Sequence, residues 1–215
     1  MNGRTATVAF PLFIGVSCIS APARADVRVE LDSSRLYVED VLITPGIANR
    51  VASALYRHKS IDTVRFVNIT GGIVGADEQL RGLISNYSVE VKGACFSSCA
   101  MLALYGKQLR LLKEDHPNGP TALLIHGTYD YVKKQWSRHG LSYIPFLHQR
   151  LKAITDNDLQ TALSYPKPGL NGLLIFRSPW RQMKNNSVVF LCSSFPANCE
   201  AREKVTHSML NITIE

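Results

Sequence analysis

Aspartate, glutamate and lysine are absent from the first 25 residues, where Arg4 and Arg24 carry the only charges. The apolar run in that segment, Val8 to Ile19, falls short of the ~20 residues that a membrane-spanning helix needs. Cysteine is scarce: five residues cannot staple a 215-residue chain into a disulfide miniprotein. Internal repeats and low-complexity stretches are missing, and no break in composition divides residues 26–215. With 46% hydrophobic and 19% charged residues, the composition is that of an ordinary globular chain. It excludes wholesale disorder, collagen-like repeats and a multi-span membrane protein. The length suffices for one domain and is thin for two.

What the first 25 residues do contain is a pattern. A basic start, a short apolar run with Phe10, Leu12, Phe13, Ile14 and Val16, and Ala23-Arg24-Ala25 describe a cleavable secretory signal. A membrane anchor would need a longer run. Lipid attachment at Cys18 fits poorly, because Gly15-Val16-Ser17 has no large aliphatic residue at its start. Cleavage is therefore expected after Ala25, with a mature chain from Asp26 to Glu215 in the periplasm or outside the cell. Removing 25 of the 215 residues leaves 190, and it removes two of the 24 basic residues and none of the 17 acidic ones, so the net charge falls from +7 to +5. The remaining cysteines, Cys95, Cys99, Cys192 and Cys199, are even in number, and an oxidising compartment permits disulfides between them. Cys192 and Cys199 flank a turn-rich loop, which suits a local bridge.

Residues 27–43 alternate apolar and polar side chains, as one or two strands do. Pro45-Gly46 breaks that run, and Ile47, Val51, Ala54 and Leu55 then fall at helical spacing. Thr63 to Ile69 is β-branched and aromatic, hence a strand. A helix is expected from near Asp77 with Leu80, Leu83 and Ile84 on one face, and a strand at Tyr87 to Val91. Ser97 to Tyr105 carries no charge, so a helix there must be buried. Leu109 to Leu112 and Ala122 to Ile125 read as strands, and Ile144, Leu147, Leu151 and Ile154 mark one helix ending near Asp156. Leu173 to Phe176, Val188 to Leu191 and Leu210 to Ile214 read as strands. Strands alternating with helices imply an α/β fold of βαβ units on a mostly parallel sheet.

Two segments carry chemistry. In Val67-Asn68-Ile69-Thr70-Gly71-Gly72 a strand ends in paired glycines, exposing backbone N–H groups that can bind an oxyanion or phosphate. A tight strand-to-helix turn would also use them. In Gly93-Ala94-Cys95-Phe96-Ser97-Ser98-Cys99 a strand runs into the buried helix, with two serines at the junction. A helix N-terminus favours negative charge, and a serine there is also a routine N-cap.

Gly-Gly, then Gly-x-Cys-x-Ser-x-Cys, then a strand ending in His126 occur in an order that resembles the Clp-protease and crotonase superfold, most closely its exported ClpP-like members. The resemblance spans Leu36 to Ala162. It implies a ClpP/crotonase-like core of βαβ units over residues 26–168, after a signal segment at 1–25, with residues 169–215 as a C-terminal β-rich extension of the same domain. It implies a serine peptidase-like protein with Ser97 as nucleophile, His126 as general base, and the N–H groups of Gly71, Gly72 and Ser98 around the oxyanion. Asp158 or Asp156 would orient the histidine; the other reading makes both acids helix caps or solvated charges. A catalytically inactive binding or assembly module of the cell envelope is the alternative, and export argues against crotonase-type acyl-CoA chemistry. Cys95 and Cys99 read either as a disulfide that fixes the backbone around Ser97 or as two small buried residues. No metal motif and no cofactor are expected. A peptide or protein substrate, and a homo-oligomer, follow from the resemblance alone.

The remaining histidines and cations are weaker. His58 ends a polar helix, His116 lies in a Pro/Gly loop, and His207 sits near a C-terminal strand. Tyr131, Lys133, Lys134, Trp136, Arg138, His139, His148 and Arg150 form a basic-aromatic stretch, read as a solvated helix face. Export argues against nucleic acid as partner.

Overall fold

The computed structural model describes residues 26–30, 33–73, 75–113, 116–117, 119–126, 129–130, 135–136, 143–164, 172–177, 187–194 and 198–215. The expected signal segment lies outside these residues, as does most of the basic-aromatic stretch.

Alternation of apolar and polar residues builds β1 (Asp26–Glu30) and β2 (Arg35–Glu39), a mostly buried β-branched and aromatic run builds β3 (Thr63–Ile69), and β4 (Ser88–Phe96) follows. Helices α1 (Pro45–Arg57), α2 (Glu78–Ile84) and α3 (Ser98–Tyr105) connect β2 to β3, β3 to β4, and β4 to β5 (Gln108–Leu111). The strand pairs β2–β3, β3–β4 and β4–β5 are parallel, as βαβ connections require. Thr44 starts α1: its hydroxyl accepts the Ile47 N–H at 3.2 Å, and Pro45 occupies the first turn, where a missing N–H costs nothing. Ala48, Val51, Ala54 and Leu55 form the buried stripe that the spacing implied. Helix α3 buries Cys99 to Leu104 without interruption, as an uncharged helix must.

The second half of the chain returns to the same sheet. β6 (Ala122–Ile125) lies parallel to β4, and β9 (Gly172–Phe176), β10 (Val189–Ser194) and β11 (Asn198–Glu200) follow it antiparallel. The strand order is β1-β2-β3-β4-β6-β9-β10-β11, with β5 branching from β4 and carrying β12 (Ile212–Ile214). A two-stranded ribbon, β7 (Tyr129–Asp130) with β8 (Gln135–Trp136), stands apart. Among the described residues the result is a mixed α/β sheet, parallel at its centre. No described helix is long and apolar enough to cross a membrane.

Three expectations change. β4 runs past Val91 to Phe96, because Gly93, at φ 72°, lets the strand exchange neighbours: Ser88–Val91 pair with β5 and Ala94–Phe96 pair with β6. The helix expected to end near Asp156 stops earlier, as α4 (Ile144–Arg150), and a second helix that the apolar spacing did not mark follows it, α5 (Asn157–Ser164). An Asp156 carboxylate oxygen accepts the N–H groups of Asp158 and Leu159, both at 3.0 Å, and so starts a new helix. The C-terminal strand is shorter than expected, because Ser208–Leu210 forms a 3-10 turn before it.

One sheet face carries the helices and the larger core. The other carries a row of side chains in direct register across five strands: Arg28, Tyr37, Arg65, Glu90 and Arg110. The Arg28 and Arg65 guanidiniums lie 4.2 and 5.2 Å from the Tyr37 ring centre. Glu90 is fully buried and ion-paired to Arg65 at 2.6 Å, Arg35 at 3.1 Å and Arg110 at 3.8 Å. Burial pushes the Glu90 carboxyl up; the Arg35 and Arg65 guanidiniums outweigh it and hold the group below the usual carboxylate range. His207 bonds through Nε2 to the Phe176 carbonyl, and burial holds its imidazole below the ordinary value of 6.5.

Both shifts make acid destabilising. A depressed group contributes stability above its unfolded value and loses it as pH falls through the folded one. Stability measured by urea unfolding is therefore expected to fall from about pH 6.5 downward through His207, and further below about pH 4.5 through Glu90. Glu90→Gln is expected to lose about 1–3 kcal/mol at pH 7, less than a fully buried pair because its arginines are partly solvated, and to flatten the lower limb of the profile.

Candidate functional site

Parallel strands put like ends on one edge, and in α/β sheets ligands gather beyond the C-terminal ends. Here β3, β4 and β6 end side by side and lead into Thr70-Gly71-Gly72, into Ser97 and into His126 respectively. Ile69 stands opposite Cys95, and Phe96 opposite Leu124.

Ser97 is the residue on which strand becomes helix. Its N–H donates to the Leu124 carbonyl at 2.8 Å, and its carbonyl accepts the Met101 N–H at 3.0 Å. Its backbone is at φ 56°, ψ −122°. An ordinary N-cap serine has extended backbone angles, and its hydroxyl accepts an N–H from the first turn. Ser97 has neither feature, so it is not a routine cap. Among the described residues its hydroxyl has no hydrogen-bond partner, and no such bond joins it to His126. The cysteines on either side form a disulfide, Cys95–Cys99, and a second one joins Cys192 to Cys199, which face each other on β10 and β11.

The paired glycines abut this turn. A Cβ on Gly71 would stand 3.6 Å from the Ser97 Cβ, and one on Gly72 would stand 3.0 Å from the Ser98 Cβ and 2.7 Å from the Ile43 carbonyl oxygen. Ile43 clamps the loop from the other side: its N–H donates to the Gly71 carbonyl at 2.9 Å, and its carbonyl accepts the Ile73 N–H at 2.8 Å. The N–H groups of Gly71 and Gly72 have no acceptor among the described residues. The Ser98 N–H, in the first turn of α3, has none within its helix. Leu42 and Ile73 lie beside the glycines with about half their surface exposed, 53% each.

His126 is half-buried at the end of β6. Gly172 presses on it: a Cβ there would stand 3.1 Å from the His126 Cα and 2.1 Å from the Ile125 oxygen. The two candidate acids have other partners. Asp156 caps α5, and Asp158, on the surface, pairs with Arg202 at 3.4 Å.

Other residues gain roles that were not legible. Arg150 does not belong to a solvated face: its guanidinium donates to the carbonyls of Leu104, Leu210 and Asn211, tying the end of α3 to the C-terminal turn, and burial lowers its pKa. Asp77 and Tyr143, both buried, share a hydrogen bond, and the Arg81 guanidinium lies 4.2 Å from the Tyr143 ring centre. His116 packs where a Cβ on Gly93 would stand, and its Nε2 lies 3.9 Å from Asp40, which also accepts from Asn68 at 2.7 Å. His58 closes α1, its N–H donating to the Ala54 carbonyl. His139 lies outside the described residues. No cluster of three metal-ligating side chains occurs among the described residues.

Gly72→Ala is expected to push the glycine loop off Ile43 and Ser98, because a real Cβ does not approach a carbonyl oxygen to 2.7 Å. A melting temperature several degrees below wild type, about 1–3 kcal/mol, checks this; a melt equal to wild type counts against close packing of Gly72 on Ile43 and Ser98.

No family model matches the chain, and no curated protein matches it. Among solved structures it is similar to a peptidase from Plasmodium falciparum, at 14% identity and TM-score 0.44 over 64% of this chain and 86% of that one. It is also similar to a protein described only as an enzyme, at 13% identity and TM-score 0.43 over 64% of this chain and 84% of that one.

Proposed function

We propose that the chain is an exported serine peptidase-like protein of the Clp type, with Ser97 as nucleophile and His126 as general base. The backbone of Ser97 carries this reading. A non-glycine residue at such angles costs about 1–3 kcal/mol and persists only where its surroundings over-determine it, often at functional sites. A serine at positive φ between a strand and a buried helix is the arrangement of a nucleophile elbow, which presents the hydroxyl outward.

The chemistry follows from the residues around it. A hydroxyl is a weak nucleophile until a base takes its proton. His126 accepts that proton as Oγ attacks the substrate carbonyl and returns it to the leaving amine; water then releases the acyl group by the reverse steps. The N–H groups of Gly71, Gly72 and Ser98 face the oxyanion, each such donor lowering the barrier by about 3–4 kcal/mol. The hydrogen bond between Ser97 and His126 forms as substrate binds, since apo sites are often loose. Asp156 and Asp158 already serve α5 and Arg202, so neither is assigned to orient the histidine. Two disulfides fit an oxidising compartment, in keeping with a signal segment cleaved after Ala25.

The second reading is a catalytically inactive binding or assembly module of the cell envelope. The Ser97 hydroxyl, unbonded among the described residues, and the engagement of both acids elsewhere favour it. A fluorophosphonate probe separates the two. In an active enzyme it labels wild type and not Ser97→Ala, and His126→Ala slows labelling by about 10²–10⁴-fold. Equal labelling of wild type and Ser97→Ala, or labelling of neither, leaves the inactive module.

A further inference from the structure

We propose that the Cys95–Cys99 disulfide is the positioning element of the Ser97 turn. Oxidised, it holds the serine at its left-handed angles; reduced, it releases them, so the reactivity of Ser97 follows the redox state of this pair. The reactivity half of this inference rests on the serine reading above, and the conformational half does not.

The two cysteines stand symmetrically about Ser97, two residues before and two after. Cys95 is tied into the sheet on both sides, opposite Ile69 and Leu123. Cys99 is fully buried in the first turn of α3. The bridge thus joins two anchored points, with Ser97 at the apex between them. Ser97 itself contributes only two backbone hydrogen bonds to its own restraint, and its side chain contributes none among the described residues. A bridge across so short a span gains little for global stability, because loop-closure entropy grows with loop length. Its effect is local. Cys192–Cys199 spans a hairpin between β10 and β11 and provides a natural control of the same chemistry.

Release needs a dithiol reductant. Its thiolate attacks one sulfur and breaks the S–S bond. Its second thiol then resolves the mixed disulfide, so two electrons and two protons pass to Cys95 and Cys99 and the reagent leaves as a disulfide. Both cysteines are fully buried, so the exchange waits on local opening.

The test uses the mature chain as wild type, Cys95→Ala/Cys99→Ala and Cys192→Ala/Cys199→Ala, with reduced wild type in dithiothreitol as a fourth sample. Three quantities are read: the melting temperature, the Ser97 Cα and Cβ chemical shifts, which report its φ, and the rate of fluorophosphonate labelling. The expected result is that Cys95→Ala/Cys99→Ala melts cooperatively, its Ser97 shifts move to values of negative φ, and labelling slows by at least about tenfold, as small misplacements of a reacting group do. Cys192→Ala/Cys199→Ala keeps the wild-type shifts and labels within about twofold of wild type, whatever its melting temperature. Wild-type shifts in Cys95→Ala/Cys99→Ala overturn the proposal. So does loss of cooperative melting in both that variant and reduced wild type, which would make the bridge a global staple. If wild type takes no label, the serine reading fails, and the shifts alone decide whether the bridge positions Ser97.

Discussion

The architecture depends on the bend in β4 at Gly93. Before the bend the strand pairs with β5; after it, with β6. Gly93 turns at φ 72°, its N–H donates to the buried Thr121 hydroxyl at 3.0 Å, and His116 occupies the place of its missing side chain. Opposite it, β3 shifts register between Val67 and Ile69, and Asn68 also takes a positive φ. Without this bend β4 would continue beside β5, and Ala94 to Phe96 would not pair with β6. A single backbone position free of Cβ thereby decides which strand ends meet.

On either side of the bend the sheet faces solve different problems. The helix face is apolar and is held by burial. Across β1 to β5 the opposite face is held by Coulomb and cation–π contacts, in which one buried carboxylate, Glu90, serves Arg35, Arg65 and Arg110, while across β6, β9 and β10 it carries a second apolar cluster with Leu124, Leu174, Phe176 and Phe190. That network sits over the N-terminal half of β4, before the bend. At the other end the glycine loop, the disulfide and the Ser97 turn pack within a few ångströms of one another. The positive φ of Ser97 is held there by its neighbours.

Much of this was legible from local pattern. The strands before residue 92, the apolar stripe of helix α1, the buried α3 and the strand before His126 all follow from period and turn chemistry; the Thr44 cap, with Pro45 inside the helix it starts, was not read from the sequence. The pairing of Cys192 with Cys199 followed from a short turn-rich loop. The early end of α4 at Arg150 was hidden, because the apolar spacing from Ile144 to Ile154 is continuous, and α5 was missed because it starts on the Asp156 carboxylate, beyond that spacing. That contact makes Asp156 the helix cap that the alternative reading of the two acids offered. Arg150 was misjudged because its partners, the carbonyls of Leu104, Leu210 and Asn211, are backbone groups far away in sequence.

By itself the sequence determined which segments are strands and helices, which helix is buried, and that glycines, serine and histidine stand at strand ends. Those properties are local: they depend on side-chain period, on caps and on turn residues within a few positions. Only the tertiary structure decided that Gly71 and Gly72 press on Ser97 and Ser98, that the serine is not a cap, and that Cys95 closes on Cys99 around it. Those properties depend on register between strands and on backbone angles at single residues. A chain that is identical in local pattern could pair β4 with other neighbours and place the same residues apart.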